Sequence, residues 1–364
     1  MRRRCGLGIK RTAAALALVL VTCLGGPLSA HVAFSSVELR VIQGSIEVTV
    51  VSQAYDLAHE LGVDPPERLV DLNYLASQHD ALATLMNQAL TIERDGALLD
   101  EARWDTPAAA PEQQLIRMHA TFPAQGGTGR LTMTSRLFSY DTAHQTLVTV
   151  YEGDALKTQQ MLDAARPSFD YFTGTRAGIA AGIRRFLAAG FERSLTGYDH
   201  LLFLAALLLV GGTLGRLGSI FLAFTISCAA ALAAGASGVL AVPLYIVAPG
   251  VALSIVYAGV DNVLARGGRD MRVWVALVFG AFHGLALASV LDAMDLPSGR
   301  GFAIAAFNVG VECGFILAAI GVASISAVLL AQAATPMRRM FTTAASAAIA
   351  IAGIATFVSR LLSP

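Results

Sequence analysis

Charged residues are scarce in this 364-residue chain: they make up 14%, against 55% hydrophobic, where an ordinary soluble domain carries about a quarter charged. Mean hydropathy is +0.60. There is no excess of either sign, with 26 basic and 26 acidic residues, so no overall basic character points to nucleic acid. Only four cysteines occur. Cys5 and Cys23 lie near the N-terminus, and Cys228 and Cys313 lie in apolar runs. The polar region between them has none, which excludes a disulfide framework there. No phosphate-cradling glycine-rich P-loop is present, which argues against nucleotide-driven work.

What is present is unevenly placed. Residues 1–30 carry a basic start, MRRRCGLGIKRT, an apolar stretch too short to span comfortably, and GGPLSA before His31. That order predicts a signal peptide. Residues 31–170 are mixed in character and read as an exported, periplasmic β-rich domain with a helical insertion. VAFSSVELRVIQGSIEVTVVS alternates and breaks at Gln43-Gly44 as a hairpin does. Further strands are expected at 114–122, 129–138 and 145–152. LVDLNYLASQHDALATLMNQAL has helical spacing, with Leu72, Leu75, Leu82 and Leu85 near one face. His59, His79, His119 and His144 show no ligand-like spacing and read as surface or satisfied histidines. His31 differs: cleavage after Ala30 makes it a terminal residue whose amine and imidazole suit Cu or Ni.

Residues 171–194 read as an amphipathic helix at the membrane interface. Ile179, Ile183, Phe186, Leu187 and Phe191 share a face, away from Arg184, Arg185 and Arg193. Residues 195–364 then read as a polytopic α-helical bundle of about six spans: 197–214, 217–238, 242–264, 273–292, 301–332 and 341–361. Arg216, Arg266, Arg269, Arg272, Arg338 and Arg339 fall in alternate turns, while Arg300 lies in an opposite one beside Asp292 and Asp295. The positive-inside bias therefore puts the N-terminal domain and the C-terminus outside a bacterial inner membrane.

Within the spans stand residues that lipid should exclude: Asp199, His200, Asp261, Asn262, His283, Asn308 and Glu312, with Cys228 in the second. Carboxylates and imidazoles spread over four helices are expected to converge. Such a set suits a divalent transition metal or a proton relay. It also suits plain hydrogen-bonded packing between helices. Catalysis lacks a nucleophile paired with a base. Gly280 and Gly284 flank His283, and Gly310 and Gly314 flank Glu312 at the same spacing. Small residues four apart let helices approach, which predicts that the fourth and fifth spans pair and bring His283 to Glu312.

GYDHLLFLAALLL, ALSIVYAGVDN, FGAFHGLALA and FNVGVECG, in this order over about residues 190–320, resemble the HupE/UreJ family of bacterial membrane proteins, in particular its branch with an exported N-terminal domain. The resemblance implies a secondary permease for nickel or cobalt, and the softer ligand Cys228 leaves copper or zinc as alternatives. It makes Asp199, His200, His283 and Glu312 the expected metal ligands, with Asp261, Asn262, Asn308 and Cys228 supporting. Two family histidines are replaced, by Arg193 and Cys228. Arginine cannot be a ligand, and a cysteine thiolate is a softer one. The implied partners are the lipid bilayer, a divalent metal ion and a periplasmic protein. The alternative is a membrane-anchored accessory or binding protein with a degenerate metal site.

Overall fold

The structure is a computed structural model that describes residues 34–362, apart from 43, 101, 125–126, 265–269, 295, 297–299 and 332–334. The expected signal peptide, His31, Arg266, Arg269 and Asp295 lie outside the described residues.

Alternating strands build a two-layered β-sandwich. β1 (Phe34–Ile42) and β2 (Ser45–Gln53) form the expected hairpin around Gly44, whose φ of 90° favours glycine. Val37 and Leu39 of β1 and Ile46, Val48 and Val50 of β2 point inward. The larger sheet is completed by β5 (Arg103–Trp104), β6 (Ala108–Ala110), β7 (Leu115–Pro123), β9 (Gln145–Glu152) and β10 (Ala155–Leu162), with β1 and β9 parallel. The smaller sheet runs β11 (Ser168–Phe172), β8 (Arg130–Ser135), β3 (Leu90–Arg94), β4 (Ala97–Leu98). The helical insertion is α1 (Ala54–Leu61), α2 (Leu72–Ser77) and α3 (His79–Ala89). Leu75 and Leu82 are buried as their spacing predicts. Leu72 is 65% exposed, because the helix breaks at Gln78 and its first turn leaves the core. The four histidines of this domain all have partners: His59 stacks on Tyr140, His79 meets Asp80 and Trp104, His119 meets Asp105, and His144 meets Ser35.

The second half is helical: α4 (Arg176–Thr196), α5 (Tyr198–Leu209), α6 (Leu214–Ala236), α7 (Leu244–Leu264), α8 (Arg272–Asp292), α9 (Arg300–Ala331) and α10 (Thr335–Leu362). The last five are long and apolar enough to cross a membrane. Three tight helix pairs make the bundle, α6 with α8, α4 with α9, and α7 with α10. Each meets through small residues. A Cβ on Gly280 would lie 2.8 Å from the Phe224 carbonyl oxygen, and one on Gly259 2.9 Å from that of Ser346. Without a hydrophobic drive between helices in lipid, such close backbone approach is what holds them.

One expectation fails here. Gly280 and Gly284 seat α8 on α6, against Phe224, Cys228 and Ala231. Gly310 and Gly314 seat α9 on α4, against Leu187, Phe191 and Ser194. So the fourth and fifth spans do not pair through their glycines. The helix α4, expected to lie flat at the interface, runs lengthwise beside the first half of α9. Its buried face is Gly178, Gly182, Phe186, Gly190 and Ser194. Ile179, Ile183, Leu187 and Phe191 face outward instead. The apolar stripe was visible in the sequence, but the seam is made by the small residues.

The first expected span is also different. The helix α5 has 12 residues, about 18 Å, short of the roughly 30 Å of bilayer hydrocarbon. It begins where α4 ends: Ser194 faces Gly314, and the His200 ring lies 5.8 Å from that of Phe315. Thus α4 and α5 form one path through the bundle, broken at Gly197. The far end of α5 is capped from other helices. Asn262 Nδ2 donates to the Ala206 carbonyl at 2.7 Å and Arg272 Nη1 to that of Leu207 at 2.9 Å, satisfying acceptors that a helix end leaves open.

Candidate functional site

The helix break places its chemistry at the centre of the bundle. His200 is in the first turn of α5, which is enclosed by α7, α8, α9 and α10. His283 is near the middle of α8 and fully buried. Their Nδ1 atoms are 2.6 Å apart. His283 Nε2 is 2.9 Å from Ser254 Oγ, and Ser254 Oγ donates to the Val251 carbonyl at 2.5 Å. Phe203 stacks on His283 at 4.8 Å, and Phe224 and Phe315 stand edge-on around the pair.

These contacts assign the protons. The single Ser254 hydroxyl proton is committed to the shorter contact with Val251. His283 Nε2–H must then donate to Ser254, which leaves His283 Nδ1 as acceptor. His200 Nδ1–H donates to it, and His200 Nε2 is left as a bare lone pair. That atom is buried and has no hydrogen-bond partner among the described residues. An imidazole with one nitrogen anchored and the other free is the form that binds a metal ion. The ring edge carrying Nε2 faces the break: His200 Cδ2 and Arg193 Nη1 lie 2.8 and 2.9 Å from where a Cβ on Gly197 would be. A Cβ at the break would crowd both groups, and the Arg193 carbonyl oxygen at 3.0 Å as well.

Asp199 points the other way, toward Arg360 of α10 at 3.8 Å and with Tyr198 beside it. Arg193 is close enough to act electrostatically on both Asp199 and His200. The residue at the expected histidine position therefore brings a permanent positive charge to the edge of the site.

The remaining sequence candidates fall elsewhere. Asn308 Nδ2 reaches the Ala229 carbonyl of α6 at 3.4 Å, and Glu312, one turn on, interacts electrostatically with buried Cys228. Asn308, Glu312 and Cys228 therefore gather between α9 and α6. Oδ1 of Asn308 and Oε1 of Glu312 are buried without hydrogen-bond partners among the described residues. Asp261 lies about 10 Å further along α7 than Ser254, at 1.5 Å per residue, and Asn262 serves as a cap. Among the described residues no three of His, Cys, Asp and Glu come close enough together to hold one metal ion. Sequence reasoning missed Ser254, although it lies two turns before Asp261 on the same helix face. It also missed the phenylalanine cage and Arg360, which periodicity within one helix cannot reveal.

A β-sandwich on a bundle of membrane-type helices, with a buried imidazole pair at a broken helix, defines a polytopic membrane protein with a polar centre. Residues 173–360 match the family model described as HupE / UreJ protein. That is more than half of the chain, and the chain belongs to this family. No curated protein matches it.

Proposed function

We propose that the protein is a secondary permease for nickel or a related divalent transition metal, set in a bacterial inner membrane with the β-sandwich and the C-terminus on the periplasmic side. The observation that carries this reading is the buried His200 Nε2, without a hydrogen-bond partner among the described residues, on a ring held by His283 and, through it, Ser254. Membership of the HupE/UreJ family supports it. The side assignment is supported by arginines. Arg216, Arg272 and Arg338 gather around Gly211 and Gly212, at the end of the bundle away from the β-sandwich, as expected of a cytoplasmic face. A cation passing the site would exchange water for His200 and for side-chain oxygens of Asp199, Asn308 and Glu312 in turn, since among the described residues these do not converge on one point.

A second reading, an accessory or binding protein with a degenerate metal site, is favoured by Arg193 beside His200, which repels a cation, and by the lack of a three-ligand cluster among the described residues. Uptake of radiolabelled nickel by cells expressing the wild type, His283→Ala and Glu312→Ala separates the two. The permease reading expects uptake above background that falls in both variants. Background uptake by the wild type overturns it for nickel, and unchanged uptake in both variants overturns the site. Uptake that appears only on restoring histidine at Arg193 and Cys228 supports the degenerate site.

A further inference from the structure

Where the β-sandwich meets the bundle there is a cavity of about 250 Å3. Its floor is apolar, formed by Phe172 of β11, Phe186 of α4 and Met294 just beyond α8. Its walls carry Arg166, Asp170 and Arg185. The cavity sits at the height where α8 ends and α9 begins, since Gly182, one turn before Phe186, faces Phe302. Those are the ends of helices long and apolar enough to cross a membrane, so this is the level of lipid headgroups. The neighbouring face of α4 turns Ile183 and Leu187 outward, as a lipid-facing surface does.

Among the described residues the lining carries more basic than acidic groups. Arg185 Nε is 3.8 Å from Asp170 Oδ2, beyond hydrogen-bond distance. Asp170 Oδ1 already accepts from Thr132 Oγ1 at 2.6 Å. The Arg166 guanidinium has no acidic partner among the described residues. Among the described lining residues two guanidiniums stand beside one carboxylate. Guanidinium forks match phosphate oxygens in pairs, and a carboxylate 3–4 Å away suits an ammonium.

We propose that this cavity holds the headgroup of a membrane phospholipid, with its phosphodiester on Arg166 and Arg185 and an ethanolamine-type ammonium on Asp170. The volume lies under the several hundred Å3 of pockets that engulf whole drug-sized ligands, and fits a headgroup whose chains stay in the bilayer. A soluble phosphate would share the arginines but bring no chains to the outward-facing Ile183 and Leu187 of α4. Bound there, the lipid would fasten the β-sandwich to α4 and α8.

The test uses the full chain, purified in detergent and delipidated, with the thermal unfolding midpoint followed against added phosphatidylethanolamine, phosphatidylglycerol, glycerophosphoethanolamine or inorganic phosphate. Phosphatidylethanolamine should raise the midpoint most. R166Q and R166Q/R185Q should weaken its apparent affinity by about tenfold for each guanidinium removed. D170N should abolish the preference for phosphatidylethanolamine over phosphatidylglycerol. R166Q alone, at an exposed side chain, keeps the test valid if the double variant folds poorly. Equal responses of wild type and R166Q to lipid overturn the site. An equal response to inorganic phosphate overturns the lipid assignment in favour of a free anion. No preference between the two lipids in the wild type overturns the role of Asp170.

Discussion

Gly310→Ala and Gly321→Ala place one methyl group on the same helix with opposite expected signs. At Gly310 a Cβ would lie 2.9 Å from both the carbonyl carbon of Leu187 and the amide nitrogen of Phe191, and closer still to the Leu187 oxygen. These are backbone atoms of α4 and cannot rotate aside, so α4 and α9 must separate. Overpacking of this kind costs about 1–3 kcal/mol, more than the gain of up to about 1 kcal/mol from replacing glycine by alanine in a helix. At Gly321 nothing lies within 4 Å, so only the helix gain remains. Reversible unfolding in mixed detergent micelles should therefore show Gly310→Ala less stable by roughly 1–2 kcal/mol and Gly321→Ala more stable by about 0.5–1 kcal/mol. On the permease reading proposed above, Gly310→Ala should also depress nickel uptake, because α4 leads directly into Gly197 and His200, while Gly321→Ala leaves it unchanged. A neutral or stabilising Gly310→Ala would refute the α4–α9 seam and, with it, the broken path that positions His200.

Further outcomes follow from single contacts. Ser254→Ala removes the acceptor of the His283 Nε2 proton inside the phenylalanine cage and should cost about 1–3 kcal/mol as a buried donor loses its partner, measured by the same unfolding assay. Asn262→Leu should destabilise in that assay as well, since the Ala206 carbonyl at the end of α5 loses its donor. Asp270, in the turn before α8, is held well below the usual carboxylate range by Arg272 and then Arg216. A depressed carboxylate contributes stability that is complete above its ordinary pKa of about 3.9 and is lost as pH falls below that. Acid titration of unfolding below pH ~4 should accordingly be shallower in Asp270→Asn. His79 is raised above its ordinary value by its hydrogen bond to Asp80 and then that to the Trp104 carbonyl. Its contribution is present below about pH 6.5 and fades as pH rises through the folded value. An NMR titration should find its midpoint raised in the wild type and lowered in Asp80→Asn.

The two-part architecture is legible in the chain alone, because alternation of Val and Ile along β1 and β2 and the long apolar runs of α6 to α10 are properties of segments, independent of what packs on them. It also singled out Asp199, His200, His283 and Glu312, since polar groups in apolar runs are costly wherever the run lands. Only the tertiary structure decided which of these meet. A glycine pair makes a helix side able to approach another but does not name the partner. Gly280 and Gly284 chose α6, and Gly310 and Gly314 chose α4, so Glu312 faces Cys228 while His283 faces His200. The depth of Asp199 and His200 was decided in the same way. Hydropathy places a helix start at Gly197, but only the docking of α4 along α9 puts that start at the centre of the bundle, where an imidazole nitrogen can be both buried and free.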